Sequence, residues 1–123
     1  STYGGNPLGC AAALTVVNTL TDDVVDSVND KGAWLKRAFE TALADLPLVS
    51  EVRNKGLMLA IQLDRPCAEL VNLAREASLL INVTAGSVVR LLPPLVISQH
   101  EMQMLVDGLS GVIRHFAAAQ EVA

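Results

Sequence analysis

A run of almost uniformly apolar residues near the middle of the chain, residues 57 to 63 (LMLAIQL), most constrains its fold. A turn signal stands on each side of this run, Lys55-Gly56 before it and Asp64-Arg65-Pro66 after it. Short apolar runs bounded in this way are typical of strands inside a sheet, because little of such a strand meets water. The run therefore predicts a central β-strand around which the other elements are arranged.

Hydrophobic periodicity predicts four helices and three further strands around that strand. The second helix is long and amphipathic, with apolar positions three, four or seven residues apart. Ser98 and Glu101 form a capping box at the start of the last helix, since each side chain satisfies the other's backbone donor. This order predicts an α+β domain with a small, mainly antiparallel sheet backed by helices. The predicted helices cover residues 7–20, 21–45, 67–77 and 98 onward, and the predicted strands cover residues 49–53, 57–63, 79–83 and 88–92.

The balance of charge limits the partners of such a domain. The chain has 9 Lys and Arg against 13 Asp and Glu, a formal net charge of -4, and its basic residues are scattered. Nucleic acids and anionic lipid surfaces are bound by clustered basic residues, so we expect neither as a partner. Apolar residues make up 51% of the 123 residues, which is high for a soluble domain. We therefore expect part of the apolar surface to be covered by something outside this chain.

The cysteine and histidine residues predict neither a metal site nor a disulfide framework. Cys10 and Cys67 belong to no CxxC pair, and neither His100 nor His115 has a second histidine at metal-binding spacing. Two such cysteines without a secretory signal are typical of the reducing cytoplasm. Residues 1 to 21 carry no charge, but their Gly, Asn, Pro and Thr residues argue against a membrane span. We expect a cytoplasmic protein.

The first nine residues, STYGGNPLG, place hydroxyl groups and glycines ahead of a helix start. Asn6 is a favourable N-cap, and Pro7 suits the first helical position, where its missing N–H costs nothing. Hydroxyls and free backbone N–H groups together suit an anion such as phosphate. An ordinary turn before an ordinary helix has the same pattern, so the residues alone leave both interpretations open.

The longer string STYGGNPLGCAAA resembles the segment that follows the Schiff-base lysine in class III aminotransferases, which are fold-type I pyridoxal-phosphate enzymes. Within that class it is most similar to the acetylornithine and ornithine aminotransferases. The resemblance implies a homodimer with shared active sites, in which this hydroxyl pair binds the cofactor phosphate of the neighbouring subunit. Thr2 would then be the principal phosphate ligand and Ser1 its helper.

Further stretches resemble the same family. Residues 51–58 (EVRNKGLM) are similar to its VRGKGLM turn, with Asn54 where Gly is usual, and Asn tolerates positive φ better than other non-glycine residues. Residues 80–84 (LINVT) and the more specific residues 88–97 (VVRLLPPLVI) resemble the acetylornithine branch. The resemblance implies two parts. Residues 1–20 would be the cofactor-phosphate loop with its helix, and residues 21–123 the C-terminal small domain with its long leading helix.

Arg90 is the one charged residue of the predicted strand over residues 88–92. An unpaired charge in an apolar strand is costly, so we expect an anionic partner. A carboxylate of a missing domain is one candidate. A substrate carboxylate is the other, since the planar guanidinium binds carboxylates in a bidentate manner. In the enzymes that the chain resembles, an arginine here faces the active site, so Arg90 is the predicted substrate-binding residue.

No lysine of the chain matches the one that carries the cofactor in that family. Amino transfer needs that lysine, which precedes this segment in the family, and Lys31, Lys36 and Lys55 match no such position. The chain is therefore expected to be the C-terminal fragment of a pyridoxal-phosphate-dependent acetylornithine aminotransferase, inactive alone. Its parent would transfer an amino group between N-acetylornithine and 2-oxoglutarate in arginine biosynthesis. The alternatives are an ornithine, succinylornithine or 4-aminobutyrate aminotransferase, or a non-catalytic α+β interaction or regulatory module.

Overall fold

The helices and strands follow one another in the predicted order. The structure, a computed structural model, describes residues 2–121 of the chain. The elements are α1 (Pro7–Thr19), α2 (Asp22–Ala42), β1 (Val49–Lys55), β2 (Met58–Leu63), α3 (Leu70–Glu76), β3 (Asn82–Thr84), β4 (Val88–Leu91) and α4 (Gln99–Glu121).

The four strands form one antiparallel sheet in the order β1-β2-β4-β3. The predicted central position of the apolar run is confirmed, because β2 pairs with β1 on one side and with β4 on the other. Only one face of β2 is closed off from solvent. Leu59, Ile61 and Leu63 are buried, whereas Met58 is exposed and Ala60 is half-buried. The sheet therefore has a covered face and an open one.

Three helices cover one face or edge of the sheet and form the core with it. The long helices α2 and α4 pack against each other and supply fully buried side chains, including Leu35 and Phe39 from α2 and Leu109 and Ile113 from α4. The short helix α3 packs against α4 and β3 at the edge of the sheet. This two-layer arrangement confirms the predicted α+β fold.

Residues 2–20, which we call the arm, stand apart from this core. Asn6 caps α1 as predicted, with its Oδ1 accepting a hydrogen bond of 2.8 Å from the Gly9 N–H. None of the residues of α1 is buried, and Leu8, Leu14 and Val17 are each at least 60% exposed. Between residues 2 and 121, no single helix is long and apolar enough to cross a membrane. Only α1 and α2 taken together, which meet at a bend of 71°, have the length and apolar composition of a membrane span.

One strand was predicted with the wrong bounds. The strand predicted over residues 79–83 is shorter because the residues after α3 form a Schellman motif: Ser78 has a φ of +61°, and the Leu79 N–H donates to the carbonyl of Ala74. The turn expected after Asn54 is present, and its positive φ of +54° is at Gly56 because β1 continues to Lys55.

Candidate functional site

One row of side chains crosses all four strands on the face that the helices leave open. Arg53 is paired with Ala60, Ala60 with Arg90, and Arg90 with Asn82. Residues that lie directly opposite each other in an antiparallel sheet point to the same face. The neighbouring row belongs to the core, so this row points away from the helices. We define the open sheet face as Arg53, Lys55, Met58, Ala60, Asn82 and Arg90.

A depression of about 350 Å³ lies on the open sheet face. Arg53, Lys55 and Arg90 contribute three cationic side chains to its lining, which contains no carboxylate. We call it the cationic depression. A second depression of about 330 Å³ adjoins it, shares Met58 and Arg90, and adds apolar side chains. Because the whole chain has a net charge of -4, this local excess of positive charge indicates a site for an anion.

Arg90 is placed differently from the sequence prediction. Val89 and Leu91 are buried as the apolar pattern indicates, but Arg90 alternates onto the open face and is exposed. The expected cost of burying its charge therefore does not arise in this chain. Within residues 2–121, its guanidinium forms no ion pair and no side-chain hydrogen bond. The group is free to bind an anion in the depression that it lines.

Arg53 is a residue that the sequence prediction missed. Its Nη1 donates a hydrogen bond of 2.8 Å to Oε2 of Glu51, which lies two residues earlier on the same strand. The sequence signal was the alternation of Glu51, Arg53 and Lys55, which places all three on one face of a strand. The sequence analysis predicts a strand over residues 49–53 and a turn after it, but assigns no function to this alternation. In the structure the stretch supplies two of the three cationic side chains of the depression, Arg53 and Lys55.

The N-terminal turn leaves the hydroxyl group of Thr2 available to a ligand. Thr2 is exposed, and within the part of the chain that the structure describes its hydroxyl makes no hydrogen bond. The turn ends at Gly5, with a φ of +75°, and Asn6 Nδ2 donates to the Tyr3 carbonyl at 2.8 Å. Pro7 has no N–H and the Gly9 N–H already donates to Asn6, so the Thr2 hydroxyl is the donor of this turn that suits a phosphate group. Ser1 lies outside the described residues, and no contact joins Thr2 to Arg90 in residues 2–121.

The displaced pKa values belong to groups that hold the fold together. Two hydrogen bonds, of 2.6 and 2.8 Å, join Arg114 of α4 to the carboxylate of Asp45 and lower the pKa of that carboxyl. The Ser98 backbone N–H donates to Glu101 at 2.8 Å and lowers the pKa of the Glu101 carboxyl. Burial raises the pKa of the Cys67 thiol. None of these groups lines the cationic depression.

A model of the family described as aminotransferase class III matches residues 1–113 of the chain. The chain belongs to the class III aminotransferases. The predicted resemblance is thereby confirmed, and it extends over both the arm and the packed domain.

Among curated class III aminotransferases, acetylornithine aminotransferase 1 of Bordetella pertussis is 47% identical over 122 residues, which are 98% of this chain and 31% of that protein. The solved N-acetylornithine aminotransferase of Stenotrophomonas maltophilia K279a has a TM-score of 0.86 and 29% identity over 94% of this chain and 33% of its own. An ornithine aminotransferase from Toxoplasma gondii, whose structure has partial occupancy of pyridoxal phosphate at the active site, has a TM-score of 0.80 and 31% identity, covering 98% of this chain and 29% of its own. The chain thus spans about a third of the length of the proteins it matches.

Proposed function

We propose that this chain is the C-terminal part of a pyridoxal-phosphate-dependent acetylornithine aminotransferase. The whole enzyme would transfer an amino group between N-acetylornithine and 2-oxoglutarate, a step of arginine biosynthesis, in the cytoplasm. The 47% identity to an acetylornithine aminotransferase over nearly the whole chain supports this substrate. The observation that carries the proposal is Arg90, whose guanidinium has no ion-pair partner within residues 2–121 and lines a depression on a chain of net charge -4.

Arg90 would bind a substrate carboxylate. Its planar guanidinium can donate two parallel hydrogen bonds to one carboxylate, which fixes the orientation as well as the position of the bound molecule. Correct orientation lowers the barrier of a reaction between bound partners, because the loss of rotational freedom has already occurred on binding. In this role Arg90 acts by positioning the substrate, and the proton transfers belong to groups outside this chain.

Thr2, with Ser1, would hold the phosphate group of the cofactor. Pyridoxal phosphate, when bound, supplies the electron sink that amino transfer needs. The Thr2 hydroxyl would donate a hydrogen bond to the phosphate. We assign residues 1–20 to this loop and its helix, and residues 21–123 to the small domain. The exposed arm fits a homodimer in which each subunit completes the other's active site.

Two of the three lysines contact other groups, and none matches the cofactor-carrying lysine of the family, so we expect the isolated chain to be inactive. Lys31 Nζ donates a hydrogen bond of 2.8 Å to the Leu95 carbonyl, and Lys36 forms an ion pair of 2.9 Å with Glu40. Lys55 ends β1 beside a turn whose family counterpart does not carry the cofactor. The lysine that carries it would lie in the rest of the enzyme.

The test uses the whole enzyme that contains this chain, with Arg90→Gln compared against Arg37→Gln, an exposed arginine of α2. Loss of a charge-assisted hydrogen bond should lower kcat/KM by about ten- to a hundredfold in Arg90→Gln. Arg37→Gln should keep the kcat/KM of the wild type. Equal kcat/KM values in both variants would show that Arg90 does not bind the substrate.

A second measurement tests the phosphate assignment and the substrate. Thr2→Ala should weaken cofactor binding, measured by absorbance as pyridoxal phosphate is added to the apoenzyme, whereas Thr41→Ala on the exposed side of α2 should not. Comparing N-acetylornithine, ornithine, succinylornithine and 4-aminobutyrate as amino donors decides the substrate. A higher kcat/KM for one of the other three would replace acetylornithine in the proposal.

A further inference from the structure

We propose that Lys31 of α2 is a positioning residue, which holds the segment after β4 and thereby sets the position of Arg90. Lys31 Nζ donates a hydrogen bond of 2.8 Å to the carbonyl of Leu95, which lies 64 positions further along the chain. This contact ties the helical layer to the chain that leaves the strand carrying Arg90. The inference rests on the proposed function, because it requires that Arg90 bind a substrate carboxylate.

The helix α2 contacts two connections at one end of the sheet. Leu59 is paired with Leu91 in antiparallel strands, so β2 begins at the end of the sheet where β4 finishes. Gly32 packs closely against the β1–β2 turn at this end, and its neighbour Lys31 holds Leu95. Adjacent residues of one helix therefore fix both connections beside the open sheet face.

The segment of residues 92–97 (LPPLVI) has few other contacts that hold it in place. Its own backbone hydrogen bond, of 3.0 Å, runs from the Ile97 N–H to the Pro94 carbonyl. Ile97 is its one buried side chain. Within residues 2–121, Lys31 provides the one hydrogen bond that reaches this segment from another element. Loss of the Lys31 ammonium would therefore leave the segment anchored by Ile97 alone.

The two prolines between Leu92 and Leu95 make the segment stiff. A proline fixes its own φ and also restricts the residue before it, so few alternative conformations remain between these two leucines. A displacement of Leu95 is therefore passed on to Leu92 and to the end of β4. Leu92 and Arg90 line the same depression of about 330 Å³. Lys31 lies outside that depression and acts on ligand binding through Arg90.

A lysine suits this role because its ammonium group carries three donors and a full charge. Hydrogen bonds from charged donors are stronger than those between neutral groups. Among the residues from 2 to 121, no carboxylate forms an ion pair with Lys31 and competes for its ammonium group. Lys36, further along the same helix, forms an ion pair of 2.9 Å with Glu40 and offers a matched control.

The kinetic test uses the whole holoenzyme with Lys31→Met, Lys31→Arg and the control Lys36→Met. Lys31→Met keeps an apolar stem but removes the donor, so it should lower kcat/KM for the amino donor by about three- to tenfold. Lys31→Arg should restore part of this loss, because a guanidinium can also donate to a carbonyl. Lys36→Met should keep the wild-type value. An unchanged kcat/KM in Lys31→Met, beside the expected loss in Arg90→Gln, would overturn this inference alone.

A double-mutant cycle tests whether Lys31 acts through Arg90. In the Arg90→Gln background, Lys31→Met should change kcat/KM by less than about twofold, because the side chain that it positions is already lost. The same loss in both backgrounds would assign Lys31 to the general stability of the enzyme and overturn the positioning role. A wild-type kcat/KM in Arg90→Gln would overturn the proposed role of Arg90 and, with it, this inference.

Hydrogen exchange tests the contact of Lys31 in the same holoenzyme without any substrate. The Ile97 N–H, which donates within the segment, should exchange about three- to tenfold faster in Lys31→Met and at the wild-type rate in Lys36→Met. Unchanged exchange in Lys31→Met would show that Lys31 does not hold the segment. That result would overturn the inference even where Arg90→Gln shows that Arg90 binds the substrate.

Discussion

The arm and the packed domain have similar fractions of apolar residues, yet the domain buries many of them and the arm buries none. The amphipathic helix α2 buries Gly32, Leu35 and Phe39 against the sheet and α4. The helix α1 is apolar nearly all round and buries no residue. A helix with one apolar side can bury that side against one neighbour, but a helix that is apolar on every side needs several neighbours to bury its surface. The segregation of apolar residues onto one side of α2 is therefore what lets it pack within this chain.

The residues that stabilise the chain and the residues proposed to bind the cofactor phosphate therefore lie in different regions. The residues that form the core all lie between positions 35 and 116, whereas the proposed phosphate ligands lie at the start of the arm. Changes in the packed domain should therefore alter global unfolding, and changes in the arm should not. The following substitutions, made in the 123-residue chain, test that contrast from the largest expected effect to the smallest.

The largest difference should come from truncating one apolar side chain in each region. Phe39→Ala removes a fully buried ring and should lower the free energy of unfolding by about 3–5 kcal/mol. Leu14→Ala, at a side chain that is 60% exposed, should change it by less than about 0.5 kcal/mol. Urea unfolding followed by circular dichroism measures both values. Similar losses in the two variants would show that the arm belongs to the cooperative core.

The next effect concerns the close approach of α2 to the β1–β2 turn. A Cβ on Gly32 would overlap the carbonyl oxygen of Gly56, so Gly32→Ala should cost about 1–3 kcal/mol through displacement of the backbone. Gly111 of α4 is exposed and has no atom near its Cβ position. Gly111→Ala should therefore stabilise the chain by about 0.5–1 kcal/mol. A free energy of unfolding that is unchanged in Gly32→Ala, measured by urea unfolding, would contradict the close approach of α2 to the β1–β2 turn.

A smaller effect is expected at the two capped helices. Ser98 accepts a hydrogen bond of 3.2 Å from the Glu101 N–H, so Ser98→Ala should lower the free energy of unfolding by about 1 kcal/mol. Asn6→Ala removes the equivalent cap of α1 and should reduce only the helix content of the arm. Circular dichroism in water reports the helix content, and urea unfolding reports the stability. A shifted urea midpoint in Asn6→Ala would show that the arm unfolds cooperatively with the packed domain.

The smallest effect is the dependence of stability on pH. The pKa of Asp45 is lowered in the folded chain by its hydrogen bonds to Arg114. Its stabilisation is therefore complete above the ordinary pKa of an unfolded Asp, about 3.9, and is lost as the pH falls through the lower folded pKa. Asp45→Asn should flatten this acid dependence of the urea midpoint. The arm has no charged residue and should contribute nothing to it. An unchanged acid slope in Asp45→Asn would show that the ion pair does not stabilise the fold.

Patterns with a clear period allowed most of the fold to be predicted. The apolar run gave the central strand, and the capping box gave the start of α4, because both depend on neighbouring residues alone. The shortened β3 was missed because the left-handed conformation of Ser78 has no signature in that residue type. Arg90 was recognised by resemblance, but its exposure depends on which face of the sheet the helices cover. The row that joins Arg53 to Arg90 depends on strand order and register, which the sequence does not state.

The way the sheet ends has a consequence for how separate copies of the chain associate. An unpaired edge strand can recruit a strand from another molecule and begin aggregation. Here β3 is only three residues long, and β1 has an irregularity between Val49 and Glu51 followed by alternating charges. Short, irregular and charged edges resist such pairing. Separate copies of the chain should therefore associate through the exposed apolar arm and not through the edges of the sheet.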